Sequence, residues 1–245
     1  MFARASRPRE GDLVDVGGAL VRLKVSARAR RVSLRLDRSS GQVLAIAPSA
    51  GRLGEAAAFA RQRQAWIAAR LSERPAPRRF VAGMELVVFG EPCRLRLSTG
   101  RASLEADGWE RGLRVTVGRE VELVGAAAVR LLEGRAVAWF GGAVEGHCAA
   151  LGVDPPRLSI VDPRARWGSC TMGDRRRAPS IRLSWRLALA PAVVADYVAA
   201  HECAHLVEPN HSRRFWAQVE RLVGDPAPHR AWLRANSAAL HAYQA

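Results

Sequence analysis

Lysine is almost missing from this 245-residue chain: Lys24 is the only one, so a formal net charge of +15 is carried almost wholly by arginine. Paired cysteines are missing too. Cys93, Cys148, Cys170 and Cys203 lie far apart with no C-x-x-C among them, which argues against a zinc ribbon or a disulfide framework and fits a reducing compartment. No apolar run approaches the roughly 18 residues of a membrane span, so no membrane partner is expected. Residues 1–10 are Arg-rich but lack the apolar core of a signal peptide. The expectation is a soluble, cytoplasmic protein. Apolar residues at 49% and charged residues at 25% suit a buried core in one or two domains and exclude a disordered chain.

The arginine excess has two readings. One is a surface that meets nucleic acid or another polyanion. The plainer one is arginine scattered for solvation, since the densest runs, at residues 28–35, 74–79 and 175–177, are short and charge runs are usually solvated faces. Nothing in the pattern fixes an oligomeric state.

Residues 1–19 read as a basic tail. Alternation of apolar and polar residues predicts strands at 20–25, 32–36 and 42–47, with Ser39-Ser40-Gly41 as a turn. Residues 53–71 read as one Ala-rich helix with Phe59, Trp66, Ile67 and Leu71 inward, closed by a stiff linker at Arg74-Pro75-Ala76-Pro77. Short strands at 85–89, 94–97, 102–105 and 113–117 suggest an antiparallel meander. A long helix spans 122–151, with Leu131, Leu132, Val137, Trp139, Phe140 and Val144 on its apolar faces; Gly141, Gly142 and Gly146 weaken its later part, where a kink is expected. His147 on that helix reads as a structural residue.

After a strand at 158–161, residues 164–171 form a basic, non-periodic stretch that reads as a functional loop. A polar insertion follows at 172–179, then a strand over 181–185. Pro191 suits the first turn of a helix, Pro209 stops that helix, and Ser212 caps the next. A last helix covers about 229–241, with Trp232, Leu233 and Leu240 inward. The fold class is α+β, with a β-rich part carrying one helix over residues 20–120 and a helical unit over 121–245.

The chemistry is concentrated at His201-Glu202-Cys203-Ala204-His205 and at His211, which hold three of the six histidines. Histidines four apart on a helix share one face and can reach one Zn²⁺ together. A continuous helix would carry His211 about 120° away from that face; the break at Pro209-Asn210 lets it return. Three nitrogen ligands leave a tetrahedral position open, the pattern of a catalytic zinc ion. Glu202 is then placed to take a proton from the attacking water and pass it to a leaving amine. A non-catalytic zinc site and a purely structural histidine trio are the alternatives. Cys170 as a nucleophile is a weaker option, because no base is placed beside it. Cys203 points away from the ligands into the core.

These motifs resemble the YgjP-like metallopeptidase family, related to the SprT-like zinc proteases. The resemblance rests on Arg166-Trp167-Gly168-Ser169-Cys170, Ser184-Trp185-Arg186-Leu187, Asp196-Tyr197-Val198, the His201 to His205 motif, Asn210-His211-Ser212 and Phe215-Trp216, and it covers about residues 20–243. It implies a zincin-like unit with an active-site helix and an edge strand, one Zn²⁺ on His201, His205 and His211, Glu202 as general base, and a polypeptide substrate. It further implies that the strand before the metal helix pairs with the peptide, which falls on Ser180, Ile181, Arg182 and Leu183. Arg166 and Ser169 join them as candidate substrate contacts by their place in the motif. Two departures stand out. Cys203 occupies a position where the family usually has a larger aliphatic residue, and the segment 171–179 is longer and more basic than usual.

Overall fold

The computed structural model describes residues 7–37, 41–73, 75–98, 101–106, 115–116, 123–163, 165–174 and 176–244. Of the sequence-based expectations, residues 1–6 of the tail, Ser39 and Ser40, Arg74, residues 113, 114, 117 and 122, Arg164 and Arg175 lie outside these. Two compact units divide the chain, residues 1–76 and 77–245.

The first unit is a four-stranded sheet with helices on one face. Strands β1 (Leu13–Val16), β2 (Ala19–Val25), β3 (Ser33–Leu36) and β4 (Val43–Ala47) are ordered β1-β2-β4-β3. The β2–β4 pair is parallel and the other two pairs antiparallel. Period-two alternation sends Val21, Leu23, Val43, Ala45 and Ala47 inward, against Leu53, Ala56, Ala57 and Ala60 of α1 (Leu53–Gln62). Two expectations need correction. Residues 13–16 are a paired strand, not part of a tail. The single helix over 53–71 is two helices, α1 and α2 (Gln64–Ser72), because Arg63 leaves helical geometry at φ −105°, ψ 23°. Ile67 on α2 is buried, whereas Trp66 stays 37% exposed, with the Arg70 guanidinium over its ring.

The second unit is built around α3 (Leu123–Leu151), a helix of 29 residues that continues through Gly141, Gly142 and Gly146. Against it pack a meander and a mixed sheet. The meander consists of β6 (Glu85–Val88), β7 (Glu91–Ser98), β8 (Arg101–Ala106) and β9 (Val115–Thr116), paired antiparallel in sequence order. Leu131, Leu132, Phe140 and Val144 of α3 share one core with Leu86, Val88 and Leu95 of the meander. That shared core is why the chain divides at 76/77 and not at the expected 120/121: the meander buries its apolar face in the unit that carries the histidines. Val137 is the exception on α3, 54% exposed.

The mixed sheet positions the site. It contains β10 (Arg157–Val161), β11 (Gly168–Thr171) and β12 (Ser180–Ser184) in the order β10-β12-β11. A 3-10 turn, Trp185–Leu189, leads into α4 (Ala192–Ala204), followed by α5 (Arg213–Val223) and α6 (Ala227–His241). The last strand, β13 (Tyr243–Gln244), pairs in parallel with β5 (Arg78–Arg79), just after the unit's start. Arg186 ties these pieces together. Its guanidinium donates to both Asp162 carboxylate oxygens at 2.7 and 3.0 Å, and to the carbonyls of Leu240 and Tyr243 at 3.0 and 2.7 Å. His147 proves structural: its Nε2 meets Asp196 Oδ1 at 2.8 Å, joining α3 to α4. No helix among the described residues is long and apolar enough to cross a membrane.

Candidate metal centre

Helix α4 is short, almost wholly buried, and stops at the motif. His201 and Glu202 lie in its last turn and His205 is its C-cap. Beyond it the chain tightens, with Leu206 N–H donating to Cys203 O at 2.9 Å and Glu208 N–H to Ala204 O at 2.9 Å. Pro209 has no N–H with which to continue a helix. Ser212 then starts α5, its hydroxyl accepting the Phe215 N–H at 3.2 Å. The reversal returns His211 over the face that presents His201 and His205.

The ligand atoms of His201, His205 and His211 all lie within 4.8 Å of one another. His201 Nε2 and His211 Nε2 are 3.1 Å apart. Two nitrogens bound at about 2.0–2.1 Å to one tetrahedral zinc would be ~3.3 Å apart, so the pair already has the spacing of joint ligands. His205 Nδ1 meets the Glu208 carbonyl at 3.2 Å; donating there, it leaves Nε2 free as the ligand atom. His201 Nδ1 is buried without a hydrogen-bond partner among the described residues. Ring packing holds that imidazole instead, with Phe215, Trp216 and Tyr197 centroids 4.8, 5.8 and 6.0 Å away.

Electrostatics keep His201 and His205 ready to bind a cation. Burial, reinforced by His205, His211 and Arg230, lowers the His201 pKa to about 4, and burial lowers that of His205 as well. Both rings are therefore neutral near pH 7, as a metal ligand must be. The three residues fit a zinc ion by donor type and spacing.

Glu202 is only 6% exposed. Burial raises its pKa to about 7, opposed by the Cys170 backbone N–H and the positive charge of Arg166. A carboxyl poised there can exchange a proton in either direction at neutral pH. Its position depends on a residue with no side chain: a Cβ on Gly168 would lie 2.6 Å from Glu202 Oε1. Gly168 was not among the expected site residues, although a glycine inside a strand is itself a signal of close approach. Phe215, expected only as part of the Phe215-Trp216 motif, also shapes the site. Its ring lies 4.4 to 4.8 Å from all three imidazoles and forms the floor beneath them.

A cavity of about 480 Å³ opens over this group, lined by the three histidines, Glu202, Arg166, Gly168, Ser169, Cys170, Met172 and Pro209. Arg166 and Ser169 thus reach the rim. The stretch expected as a loop is largely strand: Gly168 to Thr171 is β11. The expectation for residues 180–183 also needs correction. β12 is hydrogen-bonded on both sides, parallel to β10 and antiparallel to β11, so its backbone has no edge to offer a peptide. Ile181 and Leu183 are buried in the core, whereas Arg182 is exposed on the opposite face. Among the described residues β11 is the edge beside the site. Ser184 N–H donates to Trp167 O at 2.9 Å, which turns the backbone groups of Ser169 and Thr171 toward β12 and those of Gly168 and Cys170 outward.

Cys170 lines the cavity, but burial pushes its thiol up to about 11, far from a reactive thiolate. Cys203 is fully buried, its Sγ 4.0 Å from Cys148 Sγ.

Residues 30–236 match the family described as "YgjP-like, metallopeptidase domain". No curated protein and no solved structure matches the chain.

Proposed function

The chain belongs to the YgjP-like metallopeptidase family, and on that premise we propose that it is a zinc-dependent peptidase in which Glu202 moves the proton. The observation that carries the reading is the convergence of three imidazoles on one point beside a buried carboxyl. His201, His205 and His211 would hold the ion. Bound zinc supplies Lewis acidity, which favours ionisation of water near pH 7 and polarises a carbonyl.

The remaining work falls to the chain itself. Glu202 accepts a proton from the attacking water and returns it to the departing amine nitrogen. The Cys170 N–H and the absent side chain at Gly168 keep that carboxyl in place. The outward backbone groups of β11 that remain, the Gly168 N–H and carbonyl and the Cys170 carbonyl, are the edge along which an extended polypeptide would pair. Arg166 sits on the rim, where its charge would meet substrate as well as Glu202. Four free cysteines support a reducing, cytoplasmic location.

Metal analysis paired with proteolysis of an unfolded protein tests the reading. Glu202→Gln should retain one zinc per chain and lose cleavage by about 10²–10⁴-fold; undiminished cleavage would sink the mechanism.

One observation favours a second role, polyanion contact by the first unit. Register places Arg22 and Arg35 on either side of Leu44, with Lys24 beside Ile46, on the outer face of its sheet, and all three cations are exposed. Binding of a DNA or RNA oligonucleotide should then weaken steeply as salt rises. Absence of binding at low salt would return the arginines to plain solvation.

A further inference from the structure

The sheet that carries β11 has two unlike faces. Leu158, Ile160, Ile181 and Leu183 occupy one, together with Gly168 and Cys170, and turn toward the core and Glu202. The register sends Ser159, Arg182 and Ser169, which are aligned across the three strands, to the other. On that second face lies a cavity of about 450 Å³, lined in part by Arg166, Ser169, Thr171 and Arg182. The metal-side cavity and this one share Arg166, Gly168, Ser169 and Cys170. The free edge of β11 is therefore the rim between them.

The charges on the second face are not balanced from within. Asp162 is the one acidic residue lining it, and both of its oxygens are held by Arg186. Asp174, in the neighbouring loop, accepts the backbone N–H groups of Arg176 and Arg177 at 2.7 and 2.9 Å. Among the described residues no carboxylate forms an ion pair with Arg166 or Arg182. Arg166, Arg182 and Ser169 thus line one cavity together, the two guanidinium groups with donors to spare.

A peptide paired along β11 would alternate its side chains between the two faces. Where one residue points to the histidines, its neighbour points to Ser169 and Arg182. We propose that Arg166 and Arg182 form a carboxylate-recognising subsite that selects polypeptides with Asp or Glu next to the scissile position. This rests on the peptidase reading and names its substrate class. Arg182 is the discriminating residue. It stands on the face away from the histidines, whereas Arg166 also acts on Glu202, so changing Arg166 alone would mix specificity with proton transfer.

The test uses the zinc-loaded full chain. A tryptic-style peptide mixture is digested and the cut sites are read by mass spectrometry, after which matched peptides with Glu or Gln at the flanking position are compared. Glu should exceed Gln by about tenfold in kcat/KM, the scale of one charge-assisted contact, with the advantage shrinking at high salt. In Arg182→Gln the Glu/Gln ratio should fall to within about twofold, and Arg182→Lys should keep part of it. Fluorescence anisotropy supplies a second readout, with labelled Ala-rich decapeptides carrying three Glu or three Gln. Cleavage with no preference for Glu overturns the subsite and leaves the peptidase reading intact, as does a preference that Arg182→Gln retains. If no peptide is cut, the peptidase reading fails. The subsite then stands if the Glu decapeptide binds tighter and loses that advantage in Arg182→Gln, and it falls if the two decapeptides bind alike.

Discussion

The two walls of the metal cavity are made in opposite ways. The wall from α4 and α5 is a buried apolar block in which Tyr197, Cys203, Phe215 and Val219 support the histidines. The wall from β11 is a half-exposed polar edge, Gly-Ser-Cys-Thr, whose other side opens on a second cavity. Ligands for a small cation must be held to a few tenths of an ångström, and packing on all sides achieves that. A wall that receives an extended chain needs free backbone groups and room for varied side chains, so it cannot be buried. The same site therefore divides into a rigid half and an open half.

Perturbing each half separately should break the site differently. The largest effect belongs to the rigid half. Phe215→Ala removes a fully buried ring from beneath all three imidazoles, which should cost about 3–5 kcal/mol of stability and weaken zinc binding. Thermal unfolding and metal titration read both. A variant that melts normally and holds zinc as tightly as the parent would show that α4 alone positions the ligands.

Gly168→Ala strikes the open half. The added methyl would sit 2.6 Å from Glu202 Oε1, so the carboxyl or the strand must shift. Displacement of a catalytic group by about 1 Å costs on the order of 10²-fold in rate, whereas the three imidazoles lose nothing. Turnover should fall by about that factor with zinc stoichiometry unchanged. Joint loss of zinc and activity would mean that β11 supports the ligands as well.

How far the sequence discloses each half follows from the same physics. The helical half is governed by local spacing. Histidines at i and i+4, a proline stop and a serine cap are all visible within a dozen residues, and α4, the turn and α5 form as that spacing predicts. The strand half is governed by pairing between distant segments. β11 has no apolar alternation to announce it, because Gly168 and Cys170 crowd Glu202 while Ser169 and Thr171 face a polar cavity. The central place of β12 depends on β10, some 20 residues earlier in sequence, and no property of residues 180–183 alone shows which strand keeps its edge. β1 escaped for a similar reason: Leu13 is 47% exposed, so an edge strand there looks like tail. At Arg63 no proline or glycine marks the break between α1 and α2.

The smallest effect is expected at Cys170, and it separates two kinds of hydrolysis. The thiol stands in the same cavity as the histidines, the arrangement from which a cysteine nucleophile could be imagined. Burial, with the Glu202 charge and Cys148 adding to it, pushes its pKa up to about 11, so near pH 7 roughly one thiol in ten thousand is ionised. What Cys170 gives Glu202 is a backbone N–H, and any residue at this position other than proline carries one. Cys170→Ser should therefore retain cleavage to within about threefold, in contrast to Gly168→Ala two residues earlier, and alkylating reagents should leave turnover unchanged. A loss of a hundredfold or more in Cys170→Ser, with zinc still bound, would move the nucleophile from water to the strand.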